Sequence, residues 1–362
     1  MKSIVTTGLI CLLTSLSFGQ NVKAFKDKNT GFIGFKNAKD EIIIPATKYE
    51  EWKGVSEGLI LVGKKDKWGF IDLQGNEVIE LQYKYATKFF EGLACVAVKK
   101  GKYGYIDKTG AKIIDFVFEN AQPFNENTAG VSLNNTWGFI DKSGKIIIDY
   151  KYQDVYPFIE GFAAVKFNDK WGYIDKTEKV TVDLKYGGTS NFSEGFATVA
   201  FRVAQDWKWA FINKEGKEII EPLYDLITDF KEGFATVKLK EKYGYIDNTG
   251  KLITEIKYES LENFKDGFAI VKYYGVSMYG IYSFIDKTGK EMTAKRYPFL
   301  EKFSKDYVLF SGPLGDKGIL NRAGKEIIED KYDKITLKSG IFTAVDDNGN
   351  IFKFDKEGKI IN

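Results

Sequence analysis

A short phrase, an aromatic residue followed by Gly, a second aromatic, Ile and Asp, returns along the chain and restricts its fold more than any other feature. The clearest copy is Lys-Trp-Gly-Tyr-Ile-Asp-Lys at 170–176. The slot before the glycine falls at Ile33, Trp68, Tyr103, Trp137, Trp171, Trp209, Tyr243, Tyr282, Lys317 and Ile351. Successive spacings are 35, 35, 34, 34, 38, 34, 39, 35 and 34 residues. A fixed period in this range marks a tandem array, in which each unit buries its apolar face against its neighbours. The 362 residues therefore read as one repeat domain, residues 20–362, although length alone would suggest two or three ordinary domains.

The stretch from Phe158 to Lys185 shows the grammar of one unit. Phe162 to Phe167 is rich in strand formers, Asn168-Asp169-Lys170 is a polar turn, and Trp171 to Asp175 is a second strand. Lys176 to Lys179 turns the chain into a third strand, Val180 to Leu184, which makes an antiparallel meander. In most units the second turn begins with an Asp, whose carboxylate can accept from backbone N–H groups two residues on, and contains a Gly that supplies a positive φ. A connector then runs from a Tyr through a Phe to an acidic residue and Gly, as in Tyr152 to Gly161, Tyr224 to Gly233 and Tyr258 to Gly267. Its aromatics are expected to fill the gaps between units. The glycines beside the Trp, at Gly69, Gly138 and Gly172, are expected to admit a neighbour's aromatic. Runs without a polar alternate, such as Phe162 to Val165, require both sheet faces to be covered, and adjacent units are the available cover.

These features predict an all-β chain of about ten antiparallel β-meander repeats of about 35 residues. Both ends supply whole units, and 35 residues is short for a four-stranded blade, so an open twisted array is favoured, with a closed β-propeller-like ring as the alternative.

The phrase [Trp/Tyr]-Gly-[Phe/Tyr]-Ile-Asp, its Gly turn and the following Phe-x-Glu-Gly-[Phe/Leu]-Ala-x-Val run resemble the WG, or KWG, β-repeat family of bacterial proteins, from about Val22 to Ile361. The resemblance implies a repeated β architecture, often in exported or envelope proteins. It implies no common activity and carries no functional residue onto this chain. The first, ninth and tenth units depart from the pattern, as terminal units that meet water on one side are expected to do.

Residues 1–19 carry Lys2, an apolar run from Ile4 to Leu16 and small residues at Ser17 and Gly19, the layout of a secretory signal peptide. The expected location is periplasmic, cell-surface or extracellular. The apolar run is too short to span a bilayer, and Ile10 before Cys11 argues against lipidation. Cys95 is then the single cysteine of the mature chain and reads as a small buried hydrophobe.

Composition excludes several functions. The 53 basic and 50 acidic residues are mixed through every unit, unlike the concentrated basic face that nucleic-acid binding needs. There is no histidine, which removes Ser-His-Asp and Cys-His catalysis and histidine metal sites. Asp346-Asp347-Asn348-Gly349-Asn350 lacks the distal Glu of a calcium loop and reads as a hairpin turn. Glu91, Glu160, Glu194 and Glu232 share one repeat slot, and Asp72, Asp107, Asp141 and Asp175 another. A catalytic pair should sit at one place, not in every unit, so no enzyme, metal or cofactor is expected.

The two long spacings locate a candidate surface. Both enlarge the turn before the Trp slot, at Phe201 to Lys208 and at Lys272 to Gly280, and insertions in repeat proteins cluster on one face, often the binding face. Trp207, Tyr273, Tyr274, Met278 and Tyr279 are the candidate contacts. The expected function is an exported, non-catalytic scaffold that binds a protein or envelope polymer, with a carbohydrate-binding or carbohydrate-active module as the alternative.

Overall fold

The computed structural model describes residues 22–275 and 280–361. The leader and Cys11, together with Met278 and Tyr279, lie outside the described residues. The chain divides into two compact regions, Met1–Phe158 and Ile159–Asn362. Each is a string of short antiparallel sheets, and no helix occurs among the described residues.

The third repeat shows the plan. Leu93–Lys99 pairs with Lys102–Asp107, which pairs with Lys112–Phe118. The connector adds a fourth strand of only two residues, Tyr85–Ala86, on the free edge of Leu93–Lys99. The expected meander of three strands is therefore four, and 35 residues suffice because the extra strand is so short. In the second region the plan recurs at Leu226–Ile227, Phe234–Leu239 and Lys242–Asp247.

Strand register explains the glycine of the phrase. Trp68 faces Tyr83 and Phe70 faces Ile79, so Gly69 opposes three residues of the third strand and that strand bulges. A methyl on Gly69 would lie 2.5 Å from the Ile79 carbonyl oxygen, and one on Gly172 would lie 2.6 Å from that of Val182. The close approach expected from a neighbour's aromatic comes instead from the repeat's own third strand.

The third strand is uneven along the chain. In the sixth repeat it shrinks to the isolated pairs Ile212 with Glu218 and Trp209 with Tyr224, where Pro222 has no N–H to give the ladder. In the seventh repeat it fades similarly, and Tyr258–Leu261 pairs with both Tyr243 and the next strand, which joins two repeats into one six-stranded sheet.

Packing between repeats centres on the aromatic two residues after the Trp slot, which follows the phrase glycine except in the sixth repeat, where Ala210 stands in its place. Phe70, Tyr105, Phe139, Tyr173, Phe211 and Tyr245 are fully buried. Each is covered by the connector Phe of the next repeat, with ring centroids 4.7 Å apart for Phe70 and Phe89, 4.8 Å for Tyr105 and Phe124, and 5.0 Å for Phe211 and Phe230. Such tilted to edge-on contacts contribute roughly 0.5–1.5 kcal/mol each beyond the area they bury. Where the residue is Tyr, its hydroxyl donates to the next connector as well, from Tyr105 to the Gln122 carbonyl and from Tyr173 to that of Ser190, both at 2.7 Å. The Trp slot is more peripheral: Trp68 and Trp171 are buried, whereas Trp137 and Trp209 are partly exposed.

The second turn also joins repeats. Asp107 Oδ1 accepts from the N–H of Thr109 at 2.9 Å and of Ala111 at 3.0 Å, and Gly110 closes the turn at φ 87°. A methyl on Gly110 would lie 3.3 Å from the Ile79 side chain of the preceding repeat, so the turn rests on that residue.

Gly172→Ala is expected to lower stability by about 1–3 kcal/mol, the usual cost of overpacking a tight site, measured as a drop in melting temperature. An unchanged melting temperature would contradict the bulge geometry.

Candidate functional site

The sequence-derived surface lies at the tips of the hairpins between the first strand and the Trp strand. In the sixth repeat Phe196–Val203 and Asp206–Asn213 stay paired to the tip, where Arg202 faces Trp207 and Val203 faces Asp206. Trp207 is 46% exposed. One part of its ring rests on Gly187, where a methyl would be only 2.0 Å from it, and the Arg202 guanidinium lies 5.5 Å from the ring centroid. The extended ladder and the bare glycine thus fix an exposed indole in one orientation.

The eighth repeat treats its two tyrosines differently. Tyr273 is half-buried within its own repeat. Its hydroxyl donates to Glu291 Oε1, its ring lies 5.0 Å from that of Tyr258, and the Arg296 guanidinium sits 3.7 Å from its centroid. Burial, then the hydrogen bond to Glu291, pushes its phenol well above the ordinary tyrosine range. Tyr274, in contrast, is 50% exposed, and its hydroxyl donates to the Glu241 carbonyl at 2.6 Å. Glu241 belongs to the hairpin tip of the seventh repeat, so Tyr274 links two successive tips. Of the described candidates, Trp207 and Tyr274 present surface while Tyr273 is committed to packing. Among the described residues no hydrogen bond or ring contact joins Trp207 to either tyrosine.

The first region offers an apolar hollow of about 450 Å³ on its connectors, lined by Phe90, Gln122, Pro123, Phe124, Asn125 and Pro157. Cys95 is fully buried with its Sγ 3.5 Å from the Ala121 carbonyl oxygen, and burial pushes its thiol up to about 12. It is held as a protonated core residue.

The repeat-bound carboxylates have a role that sequence reasoning missed. The acidic residue of the connector sits in a two-residue turn with both residues at positive φ, such as Glu91 at 52° and Gly92 at 88°. The central N–H groups of that turn point outward, and the Glu of the preceding repeat accepts them. Glu57 accepts from Gly92 at 3.2 Å, Glu91 from Asn127 at 2.9 Å, and Glu160 from Gly195 at 3.0 Å. Glu194 accepts from Glu232 at 2.9 Å and Gly233 at 2.7 Å, and Glu232 from Asp266 at 2.6 Å and Gly267 at 2.9 Å. A lysine just after the Asp, or Asn213 in the sixth repeat, that opens the second turn of the receiving repeat completes most clasps: Lys108 to Glu57 at 2.8 Å, Lys142 to Glu91 at 3.2 Å, Lys214 to Glu160 at 3.0 Å and Lys287 to Glu232 at 3.3 Å. The spacing of about one period between Glu and receiving turn was the available signal. These carboxylates are structural, and Asp346, bound to the N–H of Asn348 and Asn350 at 3.0 and 2.8 Å, is likewise spent on its turn.

Burial alone would raise the carboxyl of Glu232, but hydrogen bonds from the Asp266 and Gly267 backbone and from Lys287 outweigh it and hold the group below its ordinary 4.5. The folded value is depressed, so the stability it contributes is present above the unfolded pKa and is lost as pH falls through the folded one. The difference in melting temperature between wild type and Glu232→Gln is expected to be open near pH 7 and to close as pH drops below about 4.5. A gap that stays constant with pH would contradict the clasp.

Among curated proteins none matches the sequence. Solved structures with a similar arrangement include the computationally designed Ika8 protein, at 12% identity over 83% of this chain and 94% of that one with a TM-score of 0.41. BamB from Moraxella catarrhalis is similar at 12% identity over 84% and 95% with a TM-score of 0.31, and KlHsv2 carrying a replaced loop 6CD at 7% identity over 62% and 88% with a TM-score of 0.38. Likenesses of this size bear on neither partner nor activity. The family of the WG containing repeat matches at residues 33–68, 68–103, 103–137, 137–171, 171–201, 209–243 and 243–276. With most of its length matched, the chain belongs to the WG-repeat family.

Proposed function

We propose that the protein is an exported, non-catalytic scaffold that binds a protein or cell-envelope polymer through the hairpin tips of its sixth to eighth repeats. The observation that carries this reading is the pair of exposed aromatics, Trp207 and Tyr274, on the two hairpins that exceed the repeat period. Trp207 is held on a strand ladder and Tyr274 by its hydrogen bond to the Glu241 carbonyl, and aromatic residues held in this way lose little entropy on binding and are enriched among energetically dominant contacts. The non-catalytic part is supported by the carboxylates, which are spent on turns and clasps. Export is supported by the pattern of residues 1–19.

The test uses the mature protein as bait on a solubilised envelope fraction, beside a glycan array and a hydrolysis screen. Replacing Trp207 and Tyr274 together by Ala should weaken capture of the bound species at least roughly tenfold, the scale of losing a hot spot. Undiminished capture would contradict the assignment, and capture of free glycans in place of protein would move the reading to a carbohydrate-binding module.

A further inference from the structure

The clasps that join the repeats lose one of their halves between the ninth and tenth. In the connector of the seventh repeat the sequence is Phe230-Lys231-Glu232-Gly233, and in the ninth it is Phe303-Ser304-Lys305-Asp306. Lysine therefore occupies the slot of the carboxylate arm. Neither Lys305 nor Asp306 adopts the positive φ of the other copies, and the turn closes instead through the Phe303 and Ser304 N–H groups on the Tyr307 carbonyl at 3.1 Å.

The receiving half is intact. Lys338 pairs with Ile341 across Ser339 and Gly340, whose φ values of 52° and 78° match the Glu91 and Gly92 turn. Two successive outward N–H groups in this conformation form an anion-binding concavity. Among the described residues neither N–H donates a hydrogen bond. Lys356 follows Asp355 as Lys108 follows Asp107, so it stands in the slot whose lysines pair with the clasp carboxylate elsewhere. Its stem passes beside the turn, with Cε 3.1 Å from where a methyl on Gly340 would be, and Tyr307 holds its carbonyl at 3.1 Å. No ion pair engages Lys356 among the described residues. It borders a hollow of about 400 Å³ whose charged lining is Arg322, Lys325 and Lys356 against Asp306 and Glu357.

We propose that Ser339, Gly340 and Lys356 form a receptor for an external carboxylate, supplied by a glutamate side chain of a partner protein. The same two N–H groups, in copies elsewhere in this molecule, are occupied by a glutamate of the preceding repeat, usually with the equivalent lysine beside it. The chemistry of the ligand is thus read from occupied copies of the site. Ser339 is exposed and Gly340 partly so, which leaves the turn open to a partner. This site is separate from the hairpin tips, and either can fail without the other.

The test is titration of the ¹⁵N-labelled protein with N-acetylglutamate N-methylamide, followed at the Ser339 and Gly340 amide signals. Saturable downfield shifts are expected. The glutamine analogue, which has no charge, should bind roughly tenfold more weakly or less. Lys356→Ala should weaken the response, and Lys305→Glu with Asp306→Gly, which recreates the internal arm, should abolish it. The variant with Trp207 and Tyr274 replaced should respond as wild type. No saturable shift at the two amides, an equal response to the glutamine analogue, or an equal response to inorganic phosphate would overturn the assignment.

Discussion

No repeat in this protein can cover its own central aromatic. The aromatic two residues after the Trp slot stands in the middle of the few short strands that its own repeat contributes, and the cover for its ring is the connector Phe of the following repeat. Tyr105 under Phe124 and Phe211 under Phe230 show the arrangement. A single small sheet buries too little to offset the conformational entropy of ordering it, so stability is gained when a neighbour is added. That dependence accounts for the fixed period, because the connector must deliver its Phe to the same place each time.

The charged residues follow the same logic. A connector turn with two residues at positive φ leaves two N–H groups without a strand partner, and unpaired donors near a packed face are costly. The Glu of the preceding repeat supplies the acceptor, and in most copies a lysine pairs with the same carboxylate. The Asp of the second turn does the equivalent within its own hairpin. The acidic residues that recur from repeat to repeat are thereby accounted for by backbone hydrogen bonding. The two binding surfaces we propose lie where the chain departs from the repeat: the lengthened hairpins of the sixth and eighth repeats, and the tenth-repeat turn whose partner arm has become Lys305.

Much of this was legible in the sequence. Period, strand identity, Asp-led turns, buried Cys95 and the gap-filling role of connector aromatics follow from residue types at fixed spacing. Whether the connector adds a fourth strand was open in the sequence because Tyr85–Ala86 is too short to carry a period-2 pattern. The role of the phrase glycine was misassigned because a bulge is a matter of register between strands and leaves no mark on either strand alone. The clasp is invisible in any one repeat, since Glu232 and its acceptors Asp266 and Gly267 are one period apart. At the candidate surface, sequence placed Trp207 and Tyr274 on extended hairpins but could not tell that Tyr273, one residue away, turns inward to Glu291 and Arg296.

The account rests on repeats that are stable through their neighbours. Far-ultraviolet circular dichroism of a fragment carrying one repeat, residues 225–258, beside the intact protein, addresses that most directly. The fragment is expected to lack a β spectrum and to show no cooperative melting while the intact chain shows both. A fragment that folds and melts cooperatively as a monomer would contradict the account.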